Sequence, residues 1–295
     1  MKEKIVNYDL FGNEIIEDVL LRDKFIEPPF SVLDTKSGNW QKRKKQWQDI
    51  GIKSEIGRSI KVNANLMPFK GNRERFKDKQ ISIFDPALCE VLYSWFCKEG
   101  GEILDPFAGG SVRGIVAHYL GYKYTGIDIR EEQIQCNREQ ALNILDLNNQ
   151  PNYYIGDSNE VLNDFNKKFD FIFSCPPYAD LEVYSDLEGD ISNMSYNDFI
   201  LAYEQIINKS CRLLKNGGYA CFVVGEVRDK KGDYIGFVPD TIRAFQKAGL
   251  KYYNEIVLLN QLGNAAMRAS SLFPKSQKVV KVHQNVLVFK KVSDD

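Results

Sequence analysis

Short apolar runs alternate with amphipathic stretches over most of this chain. From about residue 80 onward the alternation predicts strands at 102–104, 124–129, 153–155, 169–173, 219–224, 252–259 and 284–292. Between them, a 3.6-residue periodicity predicts helices at 85–97, 112–120, 131–145, a short one from Asn159, 196–214 and 240–248. Asp85-Pro86 is a helix start, with a capping carboxylate and a proline at the first helical position. Gly217-Gly218 reads as the stop of the 196–214 helix. Repeated strand–helix–strand units imply an α/β fold whose mostly parallel sheet is covered on both faces. Residues 1–79 show no sustained periodicity and are punctuated by Pro28-Pro29, Gly38-Asn39, Gly57 and Gly71. They form an N-terminal extension to a domain at 80–295.

Charge sharpens that division. The whole chain carries −1, yet residues 36–79 hold 13 Lys/Arg against 4 Asp/Glu, an excess able to follow a phosphate backbone. Lys42, Arg43, Lys44 and Lys45 lie between Trp40 and Trp47, whose indoles either pack on the body or stack on a nucleotide, with packing favoured. Six cysteines without close pairing, and the lack of a signal peptide, point to free thiols in a reducing cytoplasm. No apolar run approaches the ~20 residues needed to span a bilayer. His118 and His283 are far apart, and no Cys/His cluster has metal-site spacing.

Two loops carry the chemistry. Asp105-Pro106-Phe107-Ala108-Gly109-Gly110 follows the first sheet strand and opens a helix, where glycine allows close backbone approach and the helix N-terminus favours negative charge. Asp128 ends the next strand with a carboxylate suited to ribose hydroxyls, and Asp157 ends the third. The second loop, Ser174-Cys175-Pro176-Pro177-Tyr178, stops the apolar run Phe169–Phe173 with two prolines and an aromatic ring. Such a rigid turn can hold a planar base extruded from a helix.

Together these loops resemble the adenosylmethionine-dependent DNA amino-methyltransferases, the DNA methylase N-4/N-6 family. The resemblance extends through Ala179–Asp186, Gly225–Asp229 and His283–Phe289, and through Pro28–Leu33 with Trp40 and Arg43, to a phage-associated branch. It implies a Rossmann-like, seven-stranded methyltransferase sheet with the last strand antiparallel. It also implies S-adenosylmethionine as cofactor, bordered by Phe107, Ala108, Gly109 and Gly110 beside Asp105, with Asp128 on ribose and Asp157 on adenine. Ser82 and Phe84 correspond to the segment over the cofactor carboxylate. Double-stranded DNA is the implied partner, with a restriction or phage modification system as a further one. Lys42–Lys45, Arg228, Arg268 and the loops 179–193 and 263–281 would form the DNA-facing side.

In that family an Asp, Asn or Ser precedes the prolines and accepts hydrogen bonds from the target amino group, while the aromatic stacks on the base. Tyr178 fits; Cys175 is a weak acceptor, and Ser174 stands one residue early. A thiolate suits covalent attack at cytosine carbon 6 instead, with Glu226 at ring nitrogen 3 and Arg228 or Arg268 near oxygen 2. Amino methylation, carbon-5 methylation, RNA or protein methylation, and a silent DNA-binding module therefore stand as rival expectations.

Overall fold

The computed structural model describes residues 24–52, 84–177, 187, 189–229, 231–260 and 262–292, with the backbone of residues 4–8, 14–18, 61–62 and 182–183. Eight strands form the main sheet: β1 (Val32–Asp34), β2 (Glu102–Asp105), β3 (Lys123–Asp128), β4 (Asn152–Ile155), β5 (Phe169–Ser174), β6 (Leu214–Val224), β7 (Lys251–Leu259) and β8 (His283–Lys290). Their spatial order is β1-β7-β8-β6-β5-β2-β3-β4. Every pairing is parallel except those of β8, which is wedged antiparallel between β6 and β7. The last strand is thus antiparallel as expected, and the sheet has eight strands rather than seven. Two short antiparallel pairs, Lys4–Tyr8 with Glu14–Asp18 and Lys61–Val62 with Glu182–Val183, lie outside it.

The extra strand comes from the basic N-terminal segment. Val32–Asp34 pairs with Val257–Leu259, and Thr35 Oγ1 donates to Leu259 O at 2.6 Å. The helix that follows, α1 (Gly38–Asp49), starts where Ser37 accepts from Trp40 N. Trp40 and Trp47, two helical turns apart on one face, are both buried. Their indole N–H groups donate to Asp85 Oδ2 (3.1 Å) and Glu90 Oε2 (2.8 Å) on the next helix, α2 (Pro86–Phe96).

Alternating side chains of the central strands feed two cores. Phe171, Phe173, Cys221, Val223, Val286 and Val288 face α1, α2 and α3 (Val112–Tyr119). Ile172, Ala220, Phe222, Val224, Leu287 and Phe289 face α6 (Tyr196–Leu213) and α7 (Phe237–Lys247). Strands covered on both sides lose polar alternation and read as continuous apolar runs. The helices α4 (Glu131–Ile144) and α5 (Ser158–Val161) follow β3 and β4.

Two boundaries differ from expectation. The helix before β6 ends at Leu213, and Gly217, with φ +78°, lies inside an irregular stretch of β6. The 263–281 segment is largely helical: α8 spans Ala265–Ser276 despite Pro274, and Gln277 closes it in the left-handed region. No helix among the described residues is long and apolar enough to cross a membrane.

Candidate active site

The chain leaves β2 toward β3 and β4 on one side and returns to β5 on the other, so β2 and β5 flank the point where strand order reverses. Crevices open at the carboxyl ends of strands at such points. Here an open cleft of about 630 Å³ is lined by Phe107 and Gly109 after β2, Asp128 to Arg130 after β3, and Gly156 to Ser158 after β4. Cys175 and Pro177 after β5 join the same wall, and Gly189 to Ile191 close the far side.

A buried ion pair holds the loop after β2. Asp105 is fully buried, and its Oδ2 accepts from Arg113 Nε (2.5 Å) and Tyr124 OH (2.7 Å). Its Oδ1 accepts from Phe107 N (3.1 Å) and Ser174 Oγ (2.5 Å). Arg113, in the first turn of α3, spends Nη2 on the carbonyls of Phe107 and Ala108, both at 2.7 Å. Burial is the strongest influence and opposes its charge, but Asp105, Tyr124 and Cys175 acting together raise the guanidinium above its ordinary pKa. Phe84 stacks under that guanidinium at 4.6 Å and edge-on to Phe173. The positive-φ loop residue Gly109 donates its N–H to Asp128 Oδ2 (2.9 Å), while its carbonyl accepts from Asn137 Nδ2 (2.7 Å). Beneath the loop, a Cβ on Gly126 would stand 2.7 Å from Tyr124 Cε1 and 2.9 Å from Ala108 Cβ, so β3 requires glycine there.

These bonds sort the residues singled out from the sequence. Phe107, Gly109, Asp128, Asp157, Cys175 and Pro177 meet at the cleft. Asp105, Ala108 and Ser174 are wholly buried behind it, and Gly110 is buried too; they shape the loop rather than line the cleft. Ser174 is wholly buried behind the cleft, its hydroxyl donating to Asp105, so it does not stand beside Cys175 on the wall. Phe84 is partly buried and packs against the core beside Arg113, and Pro176 is buried. Asp157 caps α5 through Oδ1, accepting from Asn159 N at 2.8 Å, and its Oδ2 lies against Gly189. Ser82 and Tyr178 lie outside the described residues.

The outlying candidates are mostly engaged elsewhere. Arg43 pairs with Glu90 at 2.6 Å and Lys44 with Asp85 at 3.3 Å, so both dock α1 onto α2; Lys42 and Lys45 remain exposed. Arg228 donates to Gly232 O and stacks 3.9 Å from the Tyr234 ring, closing its own hairpin. Arg268 is exposed on α8. Glu226 Oε1 accepts from Val238 N (3.0 Å) in the first turn of α7. Arg113, Arg130 and Asp190 escaped sequence reasoning. Asp190 has a local signal, a cap whose Oδ1 accepts from Ser192 N and Oγ. Arg113 has none, since nothing in a helical pattern marks one arginine as buried.

The cleft therefore offers three carboxylates (Asp128, Asp157 and Asp190) among the apolar surfaces of Phe107, Ile129, Ile191 and Pro177, with Arg130 the cation among its wall residues. Residues 23–139 match the family model described as DNA methylase. The match to that family covers less than half of the chain. The matched segment takes in β1 to β3, the Asp105–Gly110 loop and Asp128, and ends inside α4, before the Cys175 turn. Over 104 residues the chain is 25% identical to the Type II methyltransferase M.SmaI of Serratia marcescens, covering 35% of this chain and 33% of that one. Over 43 residues it is 44% identical to the Type II methyltransferase M2.DpnII of Streptococcus pneumoniae, covering 15% and 16%. The chain thus spans a third or less of the length of these curated relatives. Among solved structures, TrmN from Thermus thermophilus aligns with TM-score 0.47 at 16% identity, over 71% of this chain and 49% of that one. Magnesium protoporphyrin IX methyltransferase from Synechocystis, with bound SAH, aligns with TM-score 0.43 at 13% identity, over 65% and 74%.

Proposed function

We propose that the protein is an S-adenosylmethionine-dependent DNA methyltransferase acting on an exocyclic amino group of an extruded base. One observation carries this reading: Cys175 and Pro177 of the proline turn line the same cleft as Gly109, Asp128 and Asp157. The cofactor site and the base-holding turn are thereby adjacent, as a direct transfer requires. A carboxylate-rich, partly apolar cleft also suits a ligand with a cationic sulfonium, hydroxyls and a purine. When bound, that cofactor supplies an electrophilic methyl group.

The chain's own residues then divide the work. Asp128 holds ribose hydroxyls while keeping the Gly109 peptide in place, and Asp157 Oδ2 takes the adenine amino group. Phe107 and Ile191 exclude water from the methyl-bearing end. Asp105 and Arg113 hold the loop beneath. The exposed Lys42, Lys45 and Arg268 are left to meet duplex phosphates, a contribution that weakens with salt. Labelled-methyl transfer to duplex DNA, followed by nuclease digestion and mass spectrometry, tests the reading. N6-methyladenine or N4-methylcytosine supports it, 5-methylcytosine replaces it with the Cys175 covalent route, and transfer to RNA or protein alone removes DNA as the substrate. A protein that binds duplex DNA without transferring any methyl would be a silent module.

A further inference from the structure

Cys175 leaves one requirement of the turn unmet. A thiol is a weak acceptor, yet an amino group that is methylated must be held and must shed a proton. The neighbouring strand end carries a stronger acceptor. β5 and β6 run parallel with Ser174 level with Phe222, so Cys175–Pro177 and Gly225–Arg228 leave the sheet at the same edge. The bond from Val238 N fixes the Glu226 carboxylate through Oε1. The other oxygen, Oε2, is buried and meets no donor among the described residues. An acceptor so placed is unfavourable until a bound donor satisfies it.

Lys281 is a second, independent observation. Asn285, near the start of β8 after His283, is level with Val224 of β6 at this same edge, and Lys281 Nζ donates to Asn285 Oδ1 at 3.4 Å. Burial lowers the Lys281 pKa, and the charges of Glu226 and Glu255 oppose that fall. Glu226 and Lys281 therefore feel one another, while among the described residues Glu226 bonds Val238 N and Lys281 bonds Asn285. An acceptor and a cationic donor at one sheet edge have the chemistry that a base edge with an amino group beside a ring acceptor requires, as in adenine and cytosine.

We propose that Glu226 Oε2 accepts from, and then deprotonates, the target amino group, while Lys281 donates to the adjacent ring acceptor. This rests on the amino-methyltransferase reading above. The amino lone pair forms the new nitrogen–carbon bond, and the carbon–sulfur pair stays on sulfur, cancelling its positive charge. The nitrogen, now positive, releases one proton to Oε2. Cys175 then serves as a small wall residue of the turn.

Glu226→Gln tests the assignment, since it keeps an oxygen for Val238 N and replaces Oε2 with a donating amide. The expected result is a fall in kcat of at least about 100-fold, with adenosylmethionine affinity by calorimetry and Tm unchanged. Cys175→Asn in the Glu226→Gln background should recover about tenfold or more by returning an acceptor to the turn. Lys281→Met should lower kcat/KM for DNA and the 2-aminopurine fluorescence that reports base extrusion, again without changing cofactor affinity. Parental kcat in Glu226→Gln overturns the assignment, as does a parallel loss of Tm and cofactor affinity. If the parent protein transfers no methyl to DNA, the functional reading itself falls; an active parent with an active Glu226→Gln variant removes this inference alone.

Discussion

Replacing Arg113 with methionine removes the guanidinium from a fully buried carboxylate while keeping much of its volume. Asp105 would retain Phe107 N, Ser174 Oγ and Tyr124 OH, but its negative charge would lose the cation 2.5 Å away. Breaking a buried pair by deleting one partner costs about 3–5 kcal/mol, mostly the penalty of the charge left behind. At about 2–4 °C per kcal/mol, Tm should fall by roughly 6–20 °C. The same change strips the anchors from the Phe107 and Ala108 carbonyls, so the loop that walls the cleft should loosen. Urea unfolding gives the first quantity, and adenosylmethionine calorimetry gives the second, with at least a tenfold loss expected. The double variant Asp105→Asn, Arg113→Met supplies the control. Asparagine keeps an oxygen for Phe107 N and Ser174 Oγ but brings no charge, so the double should be more stable than Arg113→Met alone by about 1 kcal/mol or more. An Arg113→Met protein within about 1 kcal/mol of the parent, or strictly additive costs, would refute the reasoning.

Gly126→Ala should destabilise the protein by about 1–3 kcal/mol and weaken cofactor binding, because its Cβ meets both Tyr124 and Ala108; thermal melts and calorimetry check the pair of effects. Asp128→Ala should abolish measurable adenosylmethionine binding, since it removes both a ribose acceptor and the partner of Gly109 N; unchanged affinity would remove that assignment. Burial holds His118 below its ordinary pKa of 6.5, and its Nε2 accepts from Tyr124 N only in the neutral form. Its stabilisation is therefore complete above about pH 6.5 and lost as pH falls through the lower folded value. Melting temperatures at pH 5 and 7.5 should differ less in His118→Gln than in the parent.

How much of this was written in the sequence depends on whether the signal is local. The parallel strands and their helices were legible because apolar runs and amphipathic periods repeat over dozens of residues, and Asp85-Pro86 marked its helix start to the residue. The helix α1 was obscured by a run of lysines and arginines, although Trp40 and Trp47 stand two turns apart on its buried face. Pro274 and the serines around it disguised α8, and Gly217-Gly218 suggested a helix stop where β6 bends. In the site, Asp128, Asp157 and Cys175 could be placed because strand ends fix them. Asp105 read as a cleft residue from its loop; its burial follows from Arg113, Tyr124 and Ser174, which three separate elements bring to it. No spacing rule encodes that convergence.

The pairing of Val32–Asp34 with β7 bears on how this protein would behave if shortened. A chain begun at residue 80, where composition changes, would strip β7 of its outer neighbour and uncover the backbone of Val257–Leu259. It would also leave the surface of α2 that receives Trp40 and Trp47 bare. An open strand edge beside fresh apolar surface is a template for self-association. The basic segment thus acts as a seam binding, and a trimmed protein would aggregate through the edge it had covered.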